Sequence, residues 1–152
     1  MEVLIIFILL LILGYVAGNI SEKNHYKSIE EREKKTLQLP VVNMKKVEDV
    51  LELGKKIASA ELVSGSVVVS IDYFKLVLAS LRNLVGGNVR SYETLVDRGR
   101  REALLRMKEA ASSPDIIMNL RIETSTVGSS ANRGSIGSIE VLAYGTAIRY
   151  QH

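Results

Sequence analysis

The side chains that could do chemistry in this chain are few. It contains no cysteine and two histidines among 152 residues. Without thiols there is no disulfide, zinc–thiolate site, iron–sulfur cluster or cysteine nucleophile. A serine triad would need His25 or His152 as its imidazole base, but His25 falls in a charged run after an apolar N-terminus and His152 is the last residue. Neither is expected to be rigidly placed. The soft donors that remain, Met44, Met107 and Met118, lie within apolar patterns and read as core filler rather than metal ligands. Gly86-Gly87 lacks the strand–GxxxxGK[ST]–helix setting of a phosphate loop and reads as a helix terminator. Arg98, Arg101 and Arg106 could meet phosphates, yet they interleave with Asp97 and Glu102, the arrangement of a solvated helix face. No carboxylate pair stands apart as an acid–base couple. An enzyme is therefore not expected, and neither is a cofactor.

Composition supports the same reading. Twenty Lys+Arg against 17 Asp+Glu give a formal charge of +3, too small to imply nucleic acid as a partner. An apolar fraction of 47% with two prolines describes a folded chain of one domain's length.

The first strong signal is positional. Val3–Gly18 is a run of sixteen residues without a charged side chain, and continuing it to Ile20 gives about 27 Å of helix at roughly 1.5 Å per residue. That just spans a hydrocarbon core about 30 Å thick. The run reads as an uncleaved transmembrane anchor over 1–20. Val16-Ala17-Gly18 leaves open a cleaved signal peptide, and a buried soluble helix is the remaining alternative. Lys23, Lys27, Arg32, Lys34 and Lys35 follow the run, so the positive-inside rule places the rest of the chain in the cytoplasm, as a single-pass membrane protein. Gly14 and Gly18 have the GxxxG spacing of close helix pairs. A pore built from such helices would need polar lining residues, which Val3–Leu13 lacks.

Residues 21–36 form a charged stalk in which Glu30–Lys34 and Glu31–Lys35 are favourable i,i+4 pairs. They are expected as a solvated helix that lifts the domain 37–152 off the bilayer. In that domain, Leu37, Leu39 and Val41 alternate around Pro40, an edge strand or extended lead-in. Lys45–Leu53 has the spacing of a short helix. Lys56–Ser70 reads as a strand, with Val67-Val68-Val69 fully buried and a bulge or bend at Gly65. Asp72 caps a helix carrying Phe74, Val77, Leu78, Leu81 and Val85. Ser91 opens a second helix whose inner face is Tyr92, Leu95, Val96, Gly99, Ala103, Met107, Ala110 and Ala111, stopped by Pro114. On its outer face Asp97–Arg101 and Glu102–Arg106 are i,i+4 pairs. Ile116, Met118, Leu120 and Ile122 alternate with polar residues in a half-wet strand. After the connector 128–137, Ile139–Tyr150 returns as its hairpin partner. The order β–α–α–β–β predicts an α+β domain: an antiparallel sheet with two helices on one face.

Several motifs occur together: Ser64-Gly65-Ser66-Val67-Val68; Arg82-Asn83-Leu84-Val85-Gly86-Gly87; Tyr92, Arg100 and Met107; and Tyr144-Gly145-Thr146-Ala147. In that order they resemble the YbjQ family of small bacterial and archaeal proteins, over about residues 37–150. The resemblance implies a two-layer, dodecin-like α/β sandwich assembled as a homopentameric ring, with motif residues Arg82, Gly86, Gly87, Tyr92, Arg100, Met107, Tyr144, Gly145 and Thr146. It also carries the label of heavy-metal binding in a family whose function is largely unassigned. The chain departs from the family at Ser112-Ser113-Pro114-Asp115-Ile116 and at Asn88. A metal ion is possible as a ligand; oxygen donors such as Asp72, Glu61 or Glu123 would favour hard cations over heavy metals. The small residues Gly99, Ala103, Ala110 and Ala111 allow close packing in a ring, with Tyr144-Gly145-Thr146 at a subunit edge. The expectation is a membrane-anchored, oligomeric scaffold or ligand-binding module, with a metal-binding or metal-stress protein as the alternative and an oligomeric pore as a second.

Overall fold

A helix uninterrupted by proline opens the chain. In this computed structural model, which describes residues 1–44, 56–70, 90–127 and 138–151, α1 runs from Glu2 to Lys35 over 34 residues. Its apolar part is long and apolar enough to cross a membrane, and the most apolar 18-residue window is 0% buried. The helix closes at Thr36, whose backbone N–H bonds to the carbonyls of Arg32 and Glu33.

The sheet contains β1 (Ile57–Ser70), β2 (Ile116–Val127) and β3 (Ser138–Tyr150) in the order β1-β3-β2, with both pairings antiparallel. Outside β2 the lead-in segment adds a short parallel strip: Val42 N–H donates to Ile117 O, Ile117 N–H to Pro40 O, and Asn119 N–H to Met44 O. Pro40 contributes only its carbonyl, which is why a proline is tolerated at this edge. The second described helix, α2 (Arg90–Ala110), lies across one face of the sheet. Leu95, Ala103 and Met107 from α2 join Val63, Ile117, Ile139, Val141, Ala143 and Ala147 in one buried cluster.

The α+β class, the antiparallel sheet, the edge lead-in and the β2–β3 pairing agree with the sequence. The expected helices at 45–53 and 72–85 lie outside the described residues, so α2 is the helix seen directly on the sheet, with α1 packed against α2.

Other expectations are corrected. Gly65 is not a bulge, since the β1–β3 register runs unbroken through it. A Cβ there would stand 2.3 Å from Met107 N and 2.5 Å from Ala103 O, so glycine lets the α2 backbone rest directly on β1. Val67-Val68-Val69 is not a buried run, because β1 alternates and Val68 points outward. Irregularities fall instead at the start of β1, between Ile57 and Ser59, and in β2, where the register shifts between Met118 and Arg121 and Asn119 has φ 54°. That bulge turns the expected alternation over, so Ile117 and Met118 are both buried while Ile122 is exposed. Ala110, expected inward, is exposed. Tyr144-Gly145-Thr146 is not at an edge, because β3 is the central strand of the sheet.

Candidate functional site

Two places gather polar side chains, and the first is the junction of the helices. The stalk segment does not stand free in solvent. Ile29 is fully buried, and Arg32-Glu33 on α1 faces Arg101-Glu102 on α2 in a crossed pairing. Arg32 reaches Glu102 at 2.8 Å and makes a two-pronged contact with Glu109, with both bonds at 2.7 Å. Arg101 grips both carboxylate oxygens of Glu33 at 2.8 and 2.7 Å. Planar guanidinium–carboxylate forks of this kind are directional as well as strong. Tyr26 Oη donates to Thr94 O at 3.1 Å, and Lys108 Nζ donates to Thr36 O at 3.1 Å.

Glu102 is the hub. Its side chain is 5% exposed and takes Arg32 on one oxygen and Arg106 on the other. Arg106 goes on to donate to Ser66 O of β1 at 2.8 Å. A chain of charged hydrogen bonds thus joins α1, α2 and the sheet. The charges follow: Arg32 holds the Glu109 carboxyl below its ordinary range, and Arg101 does the same to Glu33. Burial pushes the Lys108 ammonium down. The charge pattern places Glu102 on a solvated face; the Arg-Glu dipeptide repeated in the two helices is the sequence signal of its actual pairing.

The second place is a half-open cleft of about 130 Å³ at the C-terminal end of α2, lined by Ser59, Glu61, Ser112, Pro114, Ala147, Ile148 and Arg149. Arg149 donates to Ser112 O, a favourable place for a cation beside a helix C-terminus. Glu61 supplies the acidic wall. The volume suits a few waters or a small polar molecule and falls below that of drug-sized sites.

The expected family residues scatter. Arg82, Gly86 and Gly87 lie outside the described residues, as do Asp72 and His152. Tyr92 falls in the first turn of α2, and of its side chain nothing is described. Arg100 is exposed on α2, whereas Met107 is wholly buried against the sheet. Tyr144 and Thr146 pair with both neighbouring strands. Gly145 sits opposite the β2 bulge, where a Cβ would come within 2.9 Å of Ile117 Cγ2. Packing, not a ligand, accounts for Met107 and Gly145.

The proposed oxygen ligands do not converge. Glu61 pairs with Ala147 and Glu123 with Leu142, on the two strands flanking β3. Five residues along and two strands across put them roughly 19 Å apart, and they project from opposite faces. Among the described residues no three His, Cys, Asp or Glu side chains assemble as a metal site. With no cysteine in the chain, this donor set does not fit a thiophilic heavy metal.

Comparison with known proteins agrees with the motif pattern. The profile of a family described as "Putative heavy-metal-binding" matches residues 41–151, beginning after α1. A UPF0145 protein of Clostridium novyi is 36% identical over 98 residues, covering 63% of this chain and 88% of its own length. One from Natronomonas pharaonis is 42% identical over 72 residues, covering 46% of this chain and 62% of its own. A crystal structure of a protein of unknown function from Pediococcus pentosaceus aligns with a TM-score of 0.41 at 14% identity, covering 74% of this chain and 98% of that one.

Proposed function

The chain belongs to the YbjQ family, also designated UPF0145, and from that premise we propose that it is a membrane-anchored, non-enzymatic member whose family domain serves in the cytoplasm as a self-assembling scaffold or ligand-binding module. The observation that carries this reading is the continuity of α1. One helix joins an exposed apolar stretch to a segment clamped onto the domain by Arg32, Glu33 and their partners. A soluble protein gains nothing from leaving so long an apolar stretch in water; a lipid bilayer is the environment that satisfies it.

Self-assembly, with five subunits as the copy number the family resemblance implies, draws support from β1. It is a 14-residue edge strand, and Leu62 and Val68 are 77% and 59% exposed on its outer side. Long edges with apolar faces are the surfaces that proteins normally protect or pair. The dodecin-like arrangement belongs to the same proposal. The cleft at Glu61 and Arg149 is the place where a ligand-binding role would begin.

The test is fractionation of cells expressing the full chain, followed by native mass spectrometry of the detergent-extracted protein. Retention in the membrane after an alkaline carbonate wash and a five-subunit mass are the expected results. Release by the wash would sink the anchor, and a monomer would sink the scaffold.

A further inference from the structure

α1 and α2 run in the same direction, and apart from the reach of Arg32 to Glu109, 77 positions away, their partners keep a nearly constant offset. The partners Tyr26–Thr94 and Glu33–Arg101 are each 68 positions apart, Arg32–Glu102 70, and Thr36–Lys108 72. Both helices rise about 1.5 Å per residue, so residues at an offset of about 70 lie level with each other. At that offset the first residue of α2, Arg90, is level with Ile20, the last of the apolar stretch. The first two turns of α2 therefore stand beside residues 20–27 of α1, within about 10 Å of the end of that stretch. Each headgroup layer of a bilayer is about 5–8 Å deep.

The geometry points to a membrane-apposed face on this domain. The inference rests on reading Val3–Ile20 as a membrane span, and it adds what that reading leaves open: the N-terminal end of α2 lies in the phospholipid headgroup layer, with the adjoining end of the sheet just beneath it. The sheet ends just below that level, since Gly99 of α2, which packs against Val69 and Val141, is level with Ile29, about 14 Å past Ile20. Ser70 and Ser138 end their strands there with hydroxyls 3.3 Å apart. The groups on this end suit phosphate-bearing headgroups: the exposed Lys23 and Lys27, one turn apart, the serine hydroxyls, and Tyr26, a residue type favoured at bilayer interfaces. The opposite end of the domain, with the Glu61–Arg149 cleft, is carried about 30 Å away by the length of α2. The stalk thus does not lift the domain clear of the bilayer. The Arg32 and Arg101 forks hold it down, with its cleft turned to the aqueous side.

The absence of cysteine makes single spin labels unambiguous. The full chain would be labelled at Glu93→Cys, exposed in the first turn of α2, or at Glu61→Cys, exposed at the far end, and reconstituted in phosphatidylcholine–phosphatidylglycerol vesicles. Relaxation by a nickel chelate anchored to the lipid headgroup is then read. The label at 93 is expected to relax severalfold more strongly than that at 61. Adding Arg32→Gln and Arg101→Gln to the 93-labelled chain should bring it down to the value at 61 while the protein still floats with the vesicles. Equal relaxation at both sites in floating protein would overturn the inference and leave the anchor standing, and an unchanged strong signal in the double variant would overturn the role given to the forks. Failure to float would overturn the anchor itself and this face with it.

Discussion

Gly65 and Glu102 carry more of this structure than any residue with catalytic potential. At Gly65 the backbone of α2 occupies the space a methyl group would need. Gly65→Ala should therefore destabilise the domain at or above the upper end of the roughly 1–3 kcal/mol typical of overpacking, measured by urea denaturation in detergent. Met107→Ala, which empties a wholly buried position, should cost roughly 2–5 kcal/mol in the same assay. Glu102→Ala would strip Arg32 and Arg106 of a shared, nearly buried acceptor. A loss of about 2 kcal/mol is expected, because the two arginines remain partly solvated. Glu102→Gln keeps the shape and one acceptor oxygen, and it should recover part of that loss. If alanine and glutamine at 102 behave alike, the hub reading is wrong.

At the scale of elements, the clamp between α1 and α2 depends on ionised carboxylates. Glu33 and Glu109 are held below the ordinary carboxyl range by Arg101 and Arg32. A group whose folded pKa is lowered lends its stability above its unfolded value, about 4.3 for glutamate, and withdraws it as pH falls through the folded value. Hydrogen-exchange protection of residues 26–36 should accordingly hold at pH 6 and fall below about pH 4, while protection in β3 persists. Loss of both together would mean that α1 docking and the domain core unfold as one unit. The elements also show what sequence reasoning could and could not see. The strands β1 and β3 were legible as apolar segments, but the faces of β1 were not: Val67-Val68-Val69 reads as a buried run, whereas the strand alternates because it presents one face to α2. Alternation failed in β2 because the positive φ at Asn119 inserts a residue and reverses the faces, a change that no pattern of residue types announces. The charged residues 21–36 looked solvated because their partners lie 68 to 77 positions away.

At the scale of the whole molecule, a family domain is joined to a long helix that precedes it. Residues 41–151 match the family, whereas α1 precedes that match. Removing the clamp by Arg32→Gln and Arg101→Gln should leave the chain in the membrane fraction, because the apolar stretch is untouched, but should increase protease cleavage between residues 36 and 44. If assembly proceeds through the β1 edge, Val68→Lys, on the exposed outer side of β1, should lower the subunit number in native mass spectrometry without lowering the melting temperature of the domain. A charge on such a strand is the ordinary means of blocking edge pairing.

The amino-acid sequence by itself determined the apolar helix, the α+β class, the pairing of the last two strands and the family, because each is written in local periodicity or in ordered motifs. It also determined the poverty of soft metal donors, since composition alone removes thiolate chemistry. Only the tertiary structure decided that Glu102 is buried, that Gly65 serves a helix contact, that Tyr144-Gly145-Thr146 lies mid-sheet, and that Glu61 and Glu123 stand on opposite faces. These properties depend on which distant segments meet, and meeting is fixed by the packing of α2 on the sheet and of α1 on α2, interactions between residues far apart in the chain.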